Sequence, residues 1–234
     1  MQIKENLITV YQQIKQICEH IQKDPQTVKL LAVSKTKPVA DILQAYQAGQ
    51  TAFGENYVQE GVEKIHYFEQ QQIALEWHFI GSLQSNKSRL VAENFDWMQT
   101  LDRAKIADRL NEQRPHYKKP LNVLIQINIS NEKSKSGIAP QELSALAKHV
   151  ENLPHLCLRG LMAIPQAGND PAEQEKAFAQ MLTLFQQLQQ QFPQLPIDTL
   201  SMGMSNDMAS AIKWGATMVR IGTAIFGARQ YDAQ

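Results

Sequence analysis

The stretch LLAVSKTKP (residues 30–38) reads as a buried strand that runs into a polar turn containing two lysines. Short, uninterrupted apolar runs are typical of strands covered on both faces, as in parallel sheets. Similar runs recur along the whole chain, and segments with helical periodicity separate most of them. The strand candidates are residues 28–34, 52–55, 76–80, 97–100, 122–129, 156–162, 198–202 and 217–221.

The intervening segments predict amphipathic helices over residues 40–48, 57–67, 103–111, 140–152 and 171–191. In the last of these, apolar residues recur every three or four positions, from Phe178 through Phe185 to Phe192. That spacing places them on one side of a helix, facing a core. We interpret its glutamine-rich remainder as the solvated face of the same helix.

Strands that alternate with helices predict a parallel sheet, because parallel neighbours need crossover connections. Eight such units without a flexible linker predict an α/β fold: a single (β/α)8 TIM barrel spanning residues 1–234. An extra N-terminal helix within residues 1–25 is expected to pack on it. A doubly wound open sheet is the alternative, but no Gly-x-Gly-x-x-Gly turn follows the first strand.

Composition limits the classes of function. Basic and acidic residues each number 23, so no net charge draws the protein to nucleic acid or an anionic membrane. The two cysteines, Cys18 and Cys157, stand alone and predict neither a metal site nor a disulfide framework. The N-terminus lacks the features of a signal peptide, and no stretch is long enough to span a membrane. We expect a cytoplasmic protein.

Lys35 ends the first strand candidate. Alternation puts Leu31, Val33 and Lys35 on one face, so the lysine can point into the mouth of the barrel, where barrels build their sites. Burial or a neighbouring cation lowers the pKa of a lysine, and its neutral amine can then form a Schiff base with a carbonyl. Alternatively, Lys35 extends to solvent or pairs with Glu55.

The segments SMGMSNDMASAI (residues 201–212) and RIGTAIFG (residues 220–227) follow or end the last two strands. Gly203 and Gly222 allow a ligand to approach the backbone, while Ser205 and Thr223 offer hydroxyl groups. The loops after strands 7 and 8 commonly bind phosphate in barrels. The pattern therefore predicts a phosphate site, the alternative being that both glycines only serve tight turns.

The first of these segments also predicts a helix. We expect its N-cap at Ser205 or Asn206, with Asp207 in the first turn. Free N–H groups at such a helix start favour an anion. In the alternative interpretation Ser205 only caps the helix.

Arg220 shares the inward face of the last strand with Met218 and Gly222. An arginine there needs a partner, whether a carboxylate, a carbonyl or a ligand acceptor. A reactive lysine, a phosphate site and an inward arginine together describe a site for a phosphorylated aromatic aldehyde. Pyridoxal phosphate is the obvious candidate.

The motifs LLAVSKTKP, FGENYVQE, WHFIGSLQSNK, INISNEKSKSGI, RGLMAIP, SMGMSNDMASAI and VRIGTAIFGAR occur in this order between residues 28 and 229. Together they closely resemble the family of pyridoxal phosphate homeostasis proteins, the YggS-like family. The resemblance implies a barrel similar to the N-terminal domain of alanine racemase and to the fold III decarboxylases.

It also implies roles for individual residues. Lys35 would carry the cofactor as an internal aldimine, and Arg220 would face the pyridine nitrogen. The residues expected around the phosphate are Ser201, Gly203, Ser205, Gly222 and Thr223, and those expected near the ring are Asn56 and Met162. Lys37 and Lys135 match family lysines near the site, either as a relay or as a second resting place for the cofactor. The loop GSLQSNK (residues 81–87) is expected at the rim.

A cationic arginine opposite the ring nitrogen weakens the cofactor as an electron sink, although racemases of this fold manage with one. Such racemases also use a tyrosine from a second domain or subunit, and no residues remain after this barrel to form that domain. We therefore expect a non-catalytic carrier of vitamin B6 cofactor that could supply apoenzymes, and the resemblance implies a monomer. The alternative is a small racemase or decarboxylase using Lys35 with His78 or Tyr57. A lyase with a Schiff base but no cofactor would leave Arg220 and the phosphate site unexplained.

Overall fold

A computed structural model of the chain describes residues 2–133, 136–168 and 170–229. Eight short strands form a closed parallel barrel, in which each strand pairs with the next and β8 pairs with β1. The strands are β1 (Lys29–Val33), β2 (Ala52–Glu55), β3 (Glu76–Phe79), β4 (Trp97–Leu101), β5 (Leu121–Ile127), β6 (Leu156–Ala163), β7 (Thr199–Ser201) and β8 (Met218–Ile221). The barrel prediction is confirmed, and the open sheet is excluded because β1 and β8 are paired.

Helices surround the barrel. They are α1 (Gln2–His20), α2 (Val39–Gln47), α3 (Val58–Gln70), α4 (Ser88–Asn94), α5 (Ala104–Gln113), α6 (Leu143–Glu151), α7 (Pro171–Gln191), α8 (Met208–Lys213) and α9 (Thr223–Phe226). The sequence pattern predicted α7 with its observed bounds but did not predict α4 or α9. Both are too short for a helical period to stand out from neighbouring residues.

Helix α1 buries one side against the barrel's outer layer. Its buried residues recur every three or four positions, from Ile3 through Val10 to Cys18. Asn6 donates a hydrogen bond of 2.9 Å to the carbonyl oxygen of Ile225 in α9. The helix ends at His20, and Gln22 turns the chain with a left-handed φ of 57°. It is therefore shorter than the segment of residues 1–25 expected to contain it.

The two faces of each strand pack in different layers. Leu31 and Met218 belong to a small apolar cluster inside the barrel. Val219 and Ile221 belong to the large core between the sheet and the helices. The predicted alternation along β8 is thus confirmed, and it directs Arg220 into the barrel mouth at the carboxyl ends of the strands.

Candidate functional site

A cavity of about 570 Å³ opens at the carboxyl ends of the strands. Its lining residues are Val33, Lys35, Asn56, Ile80, Ile164, Met204, Ser205, Asn206, Arg220, Gly222, Thr223, Ala224 and Arg229. Three of these described side chains are cationic, and none is a carboxylate. The cavity therefore favours an anionic ligand.

Lys35 lies in the turn after β1, half-buried in the cavity wall. Within the described residues, its amine has no hydrogen-bond or ion-pair partner. Burial lowers the pKa of Lys35, the nearby Arg229 lowers it further, and Glu55 partly opposes the change. More of the amine is consequently neutral and nucleophilic than in an exposed lysine.

The alternative that Lys35 pairs with Glu55 is wrong: within the described residues, the cation paired with Glu55 is Lys64, through the Oε1 atom. The Lys64 Nζ lies 2.5 Å from Glu55 Oε1 and 2.7 Å from Glu60 Oε1. Its third acceptor, at 2.8 Å, is the carbonyl oxygen of Ser34. An ammonium group has three N–H donors, so these three acceptors satisfy Lys64. Because Lys64 neutralises Glu55, the amine of Lys35 stays available to a ligand.

The same contacts hold the turn that presents Lys35. Glu60 Oε1 accepts a hydrogen bond of 2.6 Å from the backbone N–H of Thr36. Thr36 has a left-handed φ of 64°, which a β-branched residue adopts only when its surroundings impose it. We call Ser34, Thr36, Glu55, Glu60 and Lys64 the ionic cluster. It holds Ser34 and Thr36, the residues before and after Lys35, in place.

Glu55 is the member of the ionic cluster whose charged form is most disfavoured by burial. Its side chain is completely buried, and its Oε2 atom lacks a hydrogen-bond partner among the described residues. Burial raises the pKa of Glu55 to about 7, although Lys64 and a hydrogen bond from Ser34 lower it. The carboxyl group therefore changes its charge near neutral pH, directly behind the lysine.

Arg220 is buried in the cavity wall on β8, the strand that pairs with β1. Its Nη1 donates to Ser201 Oγ at 2.8 Å, and its Nη2 donates to the carbonyl oxygen of Ala163 at 3.0 Å. Burial lowers the pKa of Arg220 to about 10, while Asp207 opposes the change. The group thus stays cationic at neutral pH, and no described carboxylate contacts it.

From Arg220, hydrogen bonds run through the barrel interior. Ser201 Oγ donates to Gln99 Oε1 at 2.7 Å, and Gln99 Nε2 lies 2.8 Å from His78 Nδ1. His78 Nε2 lies 2.6 Å from Glu76 Oε1, which also binds Lys29 near the amino end of the barrel. We call Arg220, Ser201, Gln99, His78 and Glu76 the hydrogen-bond chain.

Every donor in the hydrogen-bond chain points the same way, from Arg220 towards Glu76. This polarity requires neutral His78 with its proton on Nε2. Burial lowers the pKa of His78 to about 4, even though Glu76 raises it. Burial also raises the pKa of Glu76, but His78 and Lys29 outweigh it and hold that pKa at about 2. Ser201, Gln99 and His78 are therefore neutral, and they link the cation of Arg220 to the carboxylate of Glu76.

The loops after β7 and β8 come together as predicted. Ser205 and Thr223 are exposed in the cavity lining, close to Gly222. Gly203 has a φ of 104°, and a Cβ there would lie 2.6 Å from that of Ala211. Only glycine fits this position, so Gly203 shapes the loop from behind and does not line the cavity.

The predicted helix start after β7 is wrong. Helix α8 begins at Met208, and its N-cap is Asp207, not Ser205 or Asn206. The Asp207 Oδ1 atom accepts a hydrogen bond of 2.6 Å from the N–H of Met204. That bond closes a turn over residues 204–207, and so leaves Ser205 and Asn206 in the cavity lining.

Of the two residues expected near a ring, only Asn56 lines the cavity. Its Oδ1 atom is buried without a hydrogen-bond partner among the described residues. Met162 is completely buried and packs with Trp97 and Leu124 inside the barrel. The wall near β6 is formed by Ile164, two residues further along the chain.

Ser201 is brought to Arg220 and not to the cavity lining. Because its hydroxyl already serves Gln99 and Arg220, it orients the arginine. Sequence reasoning missed Arg229, which lies beyond α9: it ends the motif VRIGTAIFGAR but was given no role. Lys37 donates a hydrogen bond of 2.9 Å to the carbonyl oxygen of Ala228 beside the same cavity, while Lys135 lies outside the described residues.

The remaining candidates lie apart from the cavity. His78 is fully buried in the hydrogen-bond chain, and Tyr57 is 57% exposed without lining the cavity. Gly81 and Ser82, which begin the GSLQSNK loop, line a second cavity beside the first. Among the described residues, no group of histidine, cysteine and carboxylate side chains could hold a metal ion. No helix in the described ranges is long and apolar enough to cross a membrane.

Comparisons with known proteins agree with this fold. The sequence model of the family "alanine racemase, N-terminal domain" matches residues 6–230. The pyridoxal phosphate homeostasis protein of Haemophilus influenzae is 72% identical, covering 99% of this chain and 98% of the relative. Its Escherichia coli K12 namesake is 57% identical, covering 98% of each chain. The structure of PipY from Synechococcus elongatus with PLP bound is 38% identical with a TM-score of 0.83, covering 97% of this chain and 100% of PipY.

Proposed function

The chain belongs to the family of pyridoxal phosphate homeostasis proteins, and we propose that it holds pyridoxal 5′-phosphate on Lys35 without turning over a substrate. One observation carries the proposal: the unpaired amine of Lys35 faces a cavity that contains two arginines and no described carboxylate. An anionic aldehyde satisfies both the cations and the amine. PLP bound to PipY, a relative of the same fold, supports this choice.

The cavity fits the cofactor in size and in its polar groups. About 570 Å³ lies within the usual range for a small-molecule site. Ser205, Thr223 and Gly222 would hold the phosphate, and Arg220 would face the ring nitrogen. The buried Asn56 Oδ1 lacks a donor, which a hydroxyl group on the ring would supply. We propose indirect roles for the other candidates: Ser201 orients Arg220, Gly203 shapes the phosphate loop, and Met162 packs beneath the ring.

When bound, pyridoxal phosphate supplies an aldehyde that condenses with primary amines. The residues of this chain make Lys35 the amine that meets it. Burial and Arg229 keep part of the Lys35 amine neutral, and the ionic cluster holds its turn in place. Arg220 donates hydrogen bonds and remains cationic, so it opposes protonation of a ring nitrogen beside it. That arrangement favours retention of the cofactor over carbanion chemistry.

The described residues offer little for proton transfer at the cavity, which supports a carrier. His78 is buried in the hydrogen-bond chain with a pKa of about 4, and Tyr57 does not line the cavity. Of the two described lining side chains with a lowered pKa, Arg220 stays cationic at neutral pH with a pKa of about 10, which leaves Lys35 as the candidate general base. Racemase and decarboxylase assays on the loaded protein test this part of the proposal. Turnover that Lys35→Ala abolishes would contradict it.

We further propose that the whole chain acts as one domain, monomeric and cytoplasmic, and that it supplies pyridoxal phosphate to apoenzymes in transient contacts. Helix α1 supports the single domain, because it packs on the barrel and is tied to α9 through Asn6. The free cysteines Cys18 and Cys157 suit a reducing compartment. Sedimentation and transfer of cofactor to an apoenzyme are the tests.

Cofactor binding is tested by absorption spectroscopy on protein incubated with pyridoxal phosphate. Wild type is expected to develop a visible band, and Lys35→Ala to show none while keeping its melting temperature. Lys37→Ala is the matched control, because Lys37 lies two residues away and is engaged with Ala228. A visible band of equal intensity in Lys35→Ala would overturn the assignment.

A further inference from the structure

A second cavity, of about 280 Å³, adjoins the first, and the two share Asn56, Ile80 and Ile164 as walls. It lies at the carboxyl ends of β3, β4 and β5, across the barrel mouth from the loops after β7 and β8. A ligand whose phosphate is held at β7 and β8 therefore points its other end towards this second space. We call the part lined by Ser82, Thr100, Gln126, Asn128 and Ser136 the neutral compartment.

The neutral compartment differs from the first cavity in charge. Its described lining contains amide and hydroxyl side chains but no lysine, arginine, aspartate or glutamate. Most of these polar groups already have partners. Thr100 donates to the carbonyl oxygen of Gly81 at 2.6 Å, and Ser82 and Ser136 bond each other at 3.2 Å. Asn128 bonds the backbone of Glu132.

Gln126 is the exception. Its side chain belongs to β5, is only 5% exposed and lines the neutral compartment. The Oε1 atom has no hydrogen-bond partner among the described residues. A buried amide oxygen without a donor is costly, and a ligand with an O–H or N–H group in this compartment would remove that cost.

We propose that the neutral compartment receives the side chain of a small primary amine that replaces Lys35 on the bound aldehyde, and that Gln126 selects amines carrying a hydroxyl group. This inference rests on the proposed function. In the exchange, the incoming nitrogen forms a double bond to the aldehyde carbon, and the bond from that carbon to the Lys35 nitrogen breaks. The two protons of the incoming amine end on the Lys35 nitrogen.

The occupant follows from the lining. An anionic side chain finds no cation among the described lining residues, and a purely apolar one leaves Gln126 Oε1 without a donor from the described part of the chain. A neutral hydroxyl supplies the donor and suits the surrounding amides and hydroxyls. The compartment would thus let the protein exchange its cofactor with some cellular amines and not others.

The test compares ethanolamine with n-propylamine, which have equal numbers of non-hydrogen atoms and differ only in a hydroxyl for a methyl group. Each amine is titrated into the loaded protein while the visible absorption is followed. The ratio of the two equilibrium constants is divided by the same ratio for free pyridoxal phosphate at the same pH. Wild type is expected to favour ethanolamine by about fivefold, the effect of one neutral hydrogen bond.

Gln126→Leu is expected to remove this preference, and Gln126→Met serves the same purpose if the leucine variant does not fold. Thr100→Val is the matched control: its hydroxyl lies in the same compartment but is already engaged, so the preference should persist. A corrected ratio near one in wild type, or a preference retained without Gln126, would overturn the inference.

The two proposals fail separately. Borohydride reduction before any amine is added shows whether the cofactor sits on Lys35. A protein that passes this test but shows no preference between the amines refutes only the neutral compartment.

Discussion

The structure holds Lys35 and Arg220, two of the three cations in the described cavity lining, in contrasting ways. The ionic cluster holds the turn of Lys35 through the buried Lys64 and the carboxylates of Glu55 and Glu60. Glu55 Oε2 has no hydrogen-bond partner among the described residues. The hydrogen-bond chain fixes Arg220 through neutral side chains whose donors and acceptors match. The ionic cluster places buried charged groups next to Lys35, the residue that must react. The hydrogen-bond chain holds a group that must only stay oriented.

Removing the buried cation should break the lysine side most severely. Lys64→Met leaves Glu55 and Glu60 without their cation, and loss of one member of a buried ion pair costs about 3–5 kcal/mol. We expect the free energy of unfolding to fall by that amount in chemical denaturation. The double variant Lys64→Met/Glu55→Gln should recover part of the loss, because it also removes the buried charge. No recovery would show that Glu55 is not the group Lys64 neutralises.

The two sides should respond to pH in opposite directions. His78 has a pKa of about 4 in the folded protein against an ordinary value of 6.5, so its contribution to stability is lost as pH falls from about 6.5 to 4. Glu55 has a raised pKa of about 7 against 4.5, so its contribution is lost as pH rises from about 4.5 to 7. Each change amounts to about 3–4 kcal/mol, since one pKa unit corresponds to about 1.4 kcal/mol.

Denaturation curves between pH 4.5 and 6.5 can separate these contributions. Wild type should change little, because the two opposing slopes largely cancel there. Glu55→Gln should lose stability on acidification, and His78→Gln should gain it. If both variants have the same slope as wild type, the pKa differences between the two sides do not exist.

A smaller effect is expected in the middle of the hydrogen-bond chain. Ser201→Ala leaves Gln99 Oε1 without its donor and Arg220 Nη1 without its acceptor, which should cost about 1–3 kcal/mol of stability. Pyridoxal phosphate should bind several-fold more weakly in equilibrium dialysis, because Arg220 loses its orientation. Thr199→Ala changes a residue on the same strand that does not belong to the hydrogen-bond chain, and it should leave the affinity for pyridoxal phosphate unchanged. Equal affinity in both variants would mean that Ser201 does not position Arg220.

Much of the fold could be predicted because it depends on periodicity. Eight apolar runs, their inward faces and the polar ends after them place Lys35, Arg220, Ser205 and Thr223 around one opening. The contacts behind these residues could not be predicted in the same way. Lys64 and Gln99 look like ordinary polar residues in sequence, and only the closure of the barrel brings them to Ser34 and Ser201.

One wrong prediction and one residue that lies outside the cavity lining have physical explanations. The helix after β7 starts later than expected because Asp207 bonds the N–H of Met204 and closes a turn before the helix. Met162 does not reach the cavity lining because the end of β6 directs it into the barrel interior, and Ile164 takes that position instead. The first position depends on a local turn, which a repeating pattern does not describe, and the second depends on the direction of the side chain within β6.

The most direct test of the account is to locate the cofactor on the chain. Wild type loaded with pyridoxal phosphate is reduced with borohydride and digested, and the modified peptide is identified by mass spectrometry. We predict one pyridoxyl group, on Lys35, because its amine lines the cavity and has no hydrogen-bond or ion-pair partner among the described residues. A modification found on Lys37 or spread over several lysines would contradict the central claim that the turn after β1 exists to hold this cofactor.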